Sequence, residues 1–341
     1  MKPTVHDIAT AAGVSLATVD RVLNRRPGVS ARTRDKVEAA VVSLGFVRDV
    51  AAANLAKGRV YPLTFILPSN DNSFMRDLET AVGDAAARSP AERTDIRVVK
   101  VPPFDAEALV TALDRLRLER PAGIALVAVD APEVAAAVDR LTEDGIPVVT
   151  LVSDLPASHR VHYAGIDNLA AGRTAASLLG RFVGDRRGSI GVLAGSMLVR
   201  DHRERFEGFA AVMAADYPHV ALLEVVEGRD DPALVERRLG SLFRERSDIL
   251  GLYSLGAGNR GLVAALRSAG FARRPAVIAH ELTETTRTAL GDGLIDAVLN
   301  QDAGHEVRSA IRVLKAHADG LPVLAAQERI RIDIFLKDNL P

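Results

Sequence analysis

From residue 61 onward the chain alternates short apolar runs with amphipathic stretches of helical period, and that alternation excludes most folds. The apolar runs are 63–67, 96–101, 123–129, 148–152, 189–193, 222–226, 251–253, 276–279 and 297–299. Helical stretches separate most of them: 74–88, 106–118, 132–143, 169–182, 203–215, 232–246, 259–269 and 304–318. A strand that returns through a helix to a parallel neighbour makes a βαβ unit, and repeated units give parallel sheets covered by helices. About nine strands suit two doubly wound lobes better than one barrel, which needs eight evenly repeated units. In open sheets of this kind ligands bind beyond the carboxyl ends of the strands, so two facing lobes make a cleft. The expected fold class for this region is therefore α/β, with two doubly wound parallel-sheet lobes.

The first sixty residues read differently. Thr4 caps a short helix over 6–12, Gly13 turns the chain, and Ser15 caps a second helix to about Asn24. Ile8, Val14, Val19 and Val22 make a compact apolar set, and small Ala9 lets the two helices approach. This spacing predicts a helix-turn-helix. Burying Val19, Val22 and Leu23 turns Leu16, Ala17, Asp20, Arg21 and Asn24 outward. On that face Arg21 suits a guanine or a phosphate, and Leu16 and Ala17 suit thymine methyls. Ser30 opens a third helix with Val37, Ala40, Val41 and Leu44 on one stripe, ending at Gly45. Asp49-Val50-Ala51-Ala52-Ala53-Asn54-Leu55-Ala56-Lys57-Gly58 favours a fourth helix too short to hold without a partner.

Charge divides the chain at the same place. Residues 1–60 hold ten Lys/Arg against five Asp/Glu, a balance of +5, whereas the remainder holds 33 against 39, a balance of −6. A basic head on an acidic body is the footprint of a polyanion-binding module joined to something else.

Thr4-Val5-His6-Asp7-Ile8-Ala9, followed by Ala12-Gly13-Val14-Ser15-Leu16-Ala17-Thr18-Val19-Asp20-Arg21-Val22-Leu23-Asn24, resembles the DNA-binding head of the LacI/GalR repressor family. Ala51-Ala52-Ala53-Asn54-Leu55 resembles that family's hinge helix. The resemblance implies DNA contacts from Thr4, Ser15, Leu16, Ala17, Thr18, Arg21 and Asn24. It also implies that Leu55 and its symmetry mate wedge into the minor groove and kink the operator. Asp20 where the family usually has serine, Arg48-Asp49 in place of Pro-Asn, and Ala53 in place of arginine are departures that bear on operator sequence and affinity. The implied organisation is a head over 1–47, a hinge and linker over 48–60, and an effector and dimerisation domain over 61–341. Its lobes would comprise 61–162 with 302–324, and 163–301 with 325–341.

The larger region resembles the periplasmic sugar-binding-protein fold, most of all its ribose-binding branch. The likeness rests on Asn72-Ser73-Phe74, Val161-His162-Tyr163-Ala164-Gly165-Ile166-Asp167-Asn168, Arg203-Glu204-Arg205-Phe206-Glu207-Gly208-Phe209 and Gln301. By that resemblance Asn72, Phe74, Arg203 and Gln301 contact an effector. Glu281, standing for a usual aspartate, makes a related contact with a longer reach. Asn259 lies in a divergent glycine-rich loop, and Asp130, Ser153 and Asp154 complete the strand-end polar set. Carboxylates and amides of this kind hydrogen-bond hydroxyls in pairs, and Phe74 offers a flat apolar face. Tyr163, Gly165 and Asp167 are assigned to the crossover between lobes, and Arg205, Gly208 and Phe209 to packing and pairing.

The expected function is a dimeric repressor of carbohydrate use, released from a palindromic operator by a sugar or polyol. Corepression by a purine-like ligand is the alternative within the same fold. A stand-alone solute-binding protein is opposed by the basic head. An enzyme is opposed by the lack of a G-x-S-x-G elbow, a P-loop or an HExxH pattern. No cofactor or metal is expected. With no cysteine, no apolar secretory core after Met1 and no run near 18 apolar residues, the expectation is a cytoplasmic protein away from membranes.

Overall fold

The computed structural model of the chain describes residues 3–24, 26–46, 58–69 and 72–341. The chain divides into two compact units, Met1–Arg59 and Val60–Pro341.

The first unit is built on three helices, α1 (Val5–Ala12), α2 (Leu16–Leu23) and α3 (Ala31–Ser43). Thr4 closes a capping box on α1: its backbone N–H donates to Asp7 at 2.7 Å, and its hydroxyl accepts from the Asp7 N–H at 3.4 Å. Gly13 sits at φ +63°, a conformation that glycine adopts without strain, and so permits the sharp turn into α2. Ser15 and Ser30 cap α2 and α3 by accepting from the N–H groups of Thr18 and Thr33. Ile8, Ala12, Val19, Val37 and Ala40 form the core, with Val14, Val22, Val41 and Leu44 half-buried around it. The segment expected to form the hinge helix, including Leu55, lies outside the described residues.

The second unit carries two sheets. The first comprises β1 (Tyr61–Pro68), β2 (Thr94–Val101), β3 (Gly123–Leu126), β4 (Val148–Leu151) and β5 (His162–Ala164), all parallel, in the order β2-β1-β3-β4-β5. Helices α4 (Ser73–Ala87), α5 (Ser89–Glu92), α6 (Ala106–Glu119) and α7 (Pro132–Glu143) connect its strands. After helix α8 (Asn168–Val183) comes the second sheet. It holds β6 (Gly188–Ala194), β7 (Val220–Glu227), β8 (Ile249–Ser254), β9 (Ala276–His280), β10 (Ala297–Asn300) and β11 (Asp333–Phe335). Its order is β11-β10-β9-β8-β6-β7, parallel except for β11, which runs antiparallel to β10. Between its strands run α9 (Arg200–Asp216), α10 (Pro232–Glu245), α11 (Asn259–Ser268) and α12 (Glu284–Gly291).

Helix α13 (Ala303–Asp319) follows β10 yet buries Val307, Ala310, Ile311 and Leu314 against Leu63 and Phe65 of the first sheet. The chain then returns through α14 (Ala325–Glu328) to β11 of the second sheet. It therefore passes between the lobes three times.

All nine expected apolar runs are strands. A strand-like run over 330–336 also holds a strand, β11, while β5 is three residues long with two of them half-buried, too short and too mixed to register as an apolar run. Helix α12 was also absent from the expected set. Its threonines are poor helix formers, but Thr283 and Thr286 cap its start reciprocally and bury Ala289 and Leu290.

Candidate functional site

The larger unit contains a cavity between the lobes, lined at the strand carboxyl ends where an open α/β sheet places its ligands. Four of the expected residues line it: Asn72, Phe74, Ser153 and Glu281. Asn72 caps α4, its Oδ1 accepting from the N–H groups of Phe74 and Met75 at 2.9 and 3.2 Å, which fixes the Phe74 ring against the cavity. Its Nδ2 crosses to the other lobe and donates to Asp230 at 3.2 Å.

The floor of the cavity is Arg205, 1% exposed. Its Nε donates to Asn168 at 2.8 Å, and its Nη1 donates to the Leu255 carbonyl at 2.6 Å and to Glu281 at 3.3 Å. Two glycines make this placement possible by letting α8 and α9 cross at backbone distance. A Cβ on Gly172 would lie 2.0 Å from the Arg205 carbonyl oxygen, and one on Gly208 would lie 2.2 Å from that of Leu169. Phe209 then stacks on Tyr253 with ring centroids 4.5 Å apart, and the Tyr253 hydroxyl meets His280 Nε2 at 2.8 Å, fixing the second-lobe side from beneath.

Three buried polar atoms on the cavity wall have no hydrogen-bond partner among the described residues: Ser153 Oγ, Arg205 Nη2 and Glu281 Oε2. Buried polar groups are nearly always paired, and these three, of nine such atoms among the described residues, belong to residues that line this cavity, a place where a polar molecule can complete the network. Burial pushes the Glu281 carboxyl up to about 7, against the opposing pull of Arg205 and of Gln301, whose Nε2 donates to it at 2.9 Å. Backbone strain gathers in the same place. Among the described residues seven non-glycine positions have positive φ, and four of them, Phe104, Val152, Asp230 and Glu281, line this cavity. For a β-branched residue such as Val152 this conformation is a genuine outlier, and strain of this kind concentrates at functional sites.

The other five expected effector residues do not line this cavity. Arg203 stands at the rim, donating to the carbonyls of Met197 and Leu198 at 3.2 and 2.9 Å and pairing across the cleft with Asp130. Asp130 is further approached by Arg200 at 3.6 Å. Asp154 is consumed locally, accepting from Thr150, the Leu155 N–H and Arg160. Burial works against its charge, but the Arg160 and Thr150 hydrogen bonds outweigh that and hold its pKa below the usual range. Asn259 accepts from Ser254 at 2.7 Å and donates to the His280 carbonyl at 3.0 Å, beside an adjoining recess that shares Asn72 and Asp230. Gln301 lies behind Glu281, with its Oε1 unpartnered.

Arg205 was assigned to packing and pairing, and Asp201, His202 and Asp230 were not among the expected contacts, yet all four line the cavity. The helix begins at Arg200 rather than near Arg203, but its start does not decide which arginine faces the cleft, since Arg203 and Arg205 lie about 200° apart around the axis. Asp201, His202, Arg205, Gly208 and Phe209 share the buried face, as a helical period requires, while Arg203 falls a quarter-turn or more away.

In the smaller unit α2 turns Leu16, Ala17 and Arg21 outward, and Thr18 is held by the Ser15 hydroxyl at 2.9 Å. Asn24 closes the helix by donating to the Asp20 carbonyl and carboxylate at 2.8 and 2.7 Å. The Asp20 carboxylate is also paired with Arg26 at 3.2 Å, so the acid on this face is partly neutralised. Among the described residues no helix is long and apolar enough to cross a membrane, and no cluster of three His, Cys, Asp or Glu could hold a metal ion.

Comparison with known proteins agrees with both units. Residues 63–322 match the model described as periplasmic binding protein domain, and residues 4–49 match that described as bacterial regulatory proteins, lacI family. The lactose operon repressor of Escherichia coli (strain K12) is 51% identical over 57 residues, 16% of either chain. The HTH-type transcriptional regulator DegA of Bacillus subtilis (strain 168) is 25% identical over 62% of this chain and 61% of its own. These matches span less than two thirds of the relatives' own length. Among solved structures, GanP, a glucose-galactose binding protein from Geobacillus stearothermophilus, superposes with a TM-score of 0.73 at 19% identity, over 83% of this chain and 99% of that one.

Proposed function

Since the chain belongs to the LacI family of bacterial regulatory proteins and carries its periplasmic binding protein domain, we propose that it is a DNA-binding transcription regulator controlled by a small hydroxylated molecule. The observation that carries this reading is the pairing, in one chain, of a helix-turn-helix head with a cleft whose wall holds three buried, unpartnered polar atoms.

In this reading α2 enters the major groove. Leu16, Ala17 and Arg21 meet base edges or phosphates, and Thr4, Ser15, Thr18 and Asn24 fix the helix on the backbone. Two chains pair to read the halves of a palindrome, and Leu55 of each wedges the centre. The effector is a sugar or polyol whose hydroxyls satisfy Ser153, Arg205 and Glu281 while Phe74 covers one face. Asn72 and Asp230 close over it. Asp130 and Arg203 act as a second cross-lobe contact, and Asn259 and Gln301 act by holding the loops around His280 and Glu281. The ligand shifts the lobes by binding one arrangement better than the other, a coupling typically worth about 1–3 kcal/mol. Induction is the preferred sense: the ligand releases DNA.

A titration of operator fragment against the protein in rising effector tests this reading. Release supports it, tightening replaces induction with corepression, and indifference of operator binding to every metabolite that the protein binds removes the regulatory role. A thermal-shift screen of pentoses, hexoses, polyols and purines supplies the candidates, since a true effector raises the midpoint by mass action.

A further inference from the structure

The cavity is chemically lopsided. Its unpartnered polar atoms come from the end of β4 (Ser153) and from the second lobe (Arg205 and Glu281). The opposite end, beyond β2 and β3, is formed by Pro102, Pro103, Phe104, Leu109 and Val129. None of these side chains donates or accepts a hydrogen bond, and the two prolines also remove two backbone N–H donors from the wall. The sheet order β2-β1-β3-β4 puts Pro102, Pro103 and Phe104 after β2 three strand spacings from Ser153 after β4, about 14 Å at the usual inter-strand distance, with Val129 after β3 between them. That is longer than one sugar ring. Phe104 is held at φ +60°, a strained conformation for an aromatic residue, and lines the apolar end.

We propose that the effector is an amphiphile: a hydroxylated ring bearing an apolar substituent, of alkyl or aryl type, that fills the bay beneath Phe104. This inference rests on the effector-site reading above and specifies what occupies it. At the polar end a vicinal diol donates to Glu281 Oε2 and accepts from Arg205 Nη2. With Arg205 already paired to Glu281 and two further acids, Asp201 and Asp230, on the wall, the head is uncharged rather than anionic. A sugar hydroxyl placed in the bay would be desolvated without a partner, whereas an alkyl or phenyl group is taken from water into contact with apolar carbon.

The test compares methyl and phenyl glycosides of the same pentoses and hexoses on the full-length protein, by calorimetric titration. For at least one sugar the phenyl glycoside should bind tenfold or more tighter than its methyl counterpart. Phe104→Gly suits a positive φ and so preserves the fold; it should shrink that ratio below threefold. Val129→Asn, at the same bay, should lower it as well. Methyl glycosides binding as tightly as phenyl ones, or a ratio untouched by both substitutions, overturns the amphiphile while leaving the effector site standing. Failure of both series to bind at millimolar concentration overturns the hydroxylated head, and the effector reading with it.

Discussion

Asn72 and Asp230 join the two lobes through one hydrogen bond of 3.2 Å at the edge of the cavity, the amide on α4 of the first lobe and the carboxylate beyond β7 of the second. The same asparagine caps its helix and positions Phe74, so lobe contact and cavity wall share a residue. A hydrogen bond to a charged group contributes about 1.5–3 kcal/mol, the lower end applying where water competes. Asp230→Ala should therefore weaken effector binding by roughly tenfold, at about 1.4 kcal/mol per decade, with little change in operator affinity without ligand. Calorimetric titration beside a DNA-binding assay checks both halves.

Arg205 and Glu281 form a buried pair, and removing Arg205 leaves Glu281 buried without this hydrogen-bond partner, a loss of about 1–3 kcal/mol. Arg205→Met alone should lower the melting temperature of the larger unit and abolish the response to effector. The double change Arg205→Met with Glu281→Leu should recover most of the lost stability but none of the response. Recovery of the response in the double variant would remove both residues from ligand recognition.

The raised pKa of Glu281 makes stability depend on pH in a definite sense. The folded protein keeps this proton up to about 7, whereas the unfolded chain loses it near 4.5, so the folded state binds more protons between those values. The contribution is complete below about 4.5 and is lost as pH rises through 7. Melting temperature should fall more steeply from pH 5 to 7.5 in the native protein than in Glu281→Gln. Parallel pH profiles for the two would contradict the assignment.

Gly208 faces the Leu169 carbonyl where α8 and α9 cross. Alanine gains roughly 1 kcal/mol of helix propensity, but its Cβ would meet backbone oxygen at 2.2 Å. Overpacking against rigid backbone costs up to about 3 kcal/mol. Gly208→Ala should thus be net destabilising by about 2 kcal/mol on these figures, and it should shift Arg205 enough to impair ligand binding. Denaturant unfolding gives the first and titration the second.

Asp20 holds Arg26 and Asn24 through its carboxylate. Asp20→Asn removes a negative charge from the outward face of α2 and frees Arg26 toward phosphate. Affinity for random duplex DNA should rise several-fold and the logarithmic salt dependence should steepen by about one unit, because one more cation displaces counterions. An unchanged salt slope would mean that this face does not lie against DNA.

The fold was legible because its signals are long and redundant. Runs such as 63–67 and 148–152 are apolar but for one buried threonine each, and serine or asparagine marks the helix starts at Ser15, Ser30 and Asn72. β5 escaped because it rests on three residues, and α12, as long as α1 and α2, because its threonines are poor helix formers. The site was legible only where chemistry and local motif agree, as at Asn72, Phe74, Ser153 and Glu281. Arg203 and Arg205 carry the same charge two residues apart, so composition cannot choose between them. The choice rests on which face of α9 is buried: Arg205 shares the helical period of Gly208 and Phe209, and Arg203 does not. Asp230 was hidden for another reason: it lies in a loop after β7 and gains meaning only from the asparagine opposite, more than 150 residues earlier.

The triple passage of the backbone between the lobes limits what their motion can express. A single strap would let one body twist, slide or detach from the other, but three straps side by side leave rocking as the soft coordinate. Whatever settles in the cleft is therefore converted into an angle rather than a displacement in an arbitrary direction. An inserted residue in any one strap would skew that axis and should uncouple ligand occupancy from its output even where the affinity for the ligand survives.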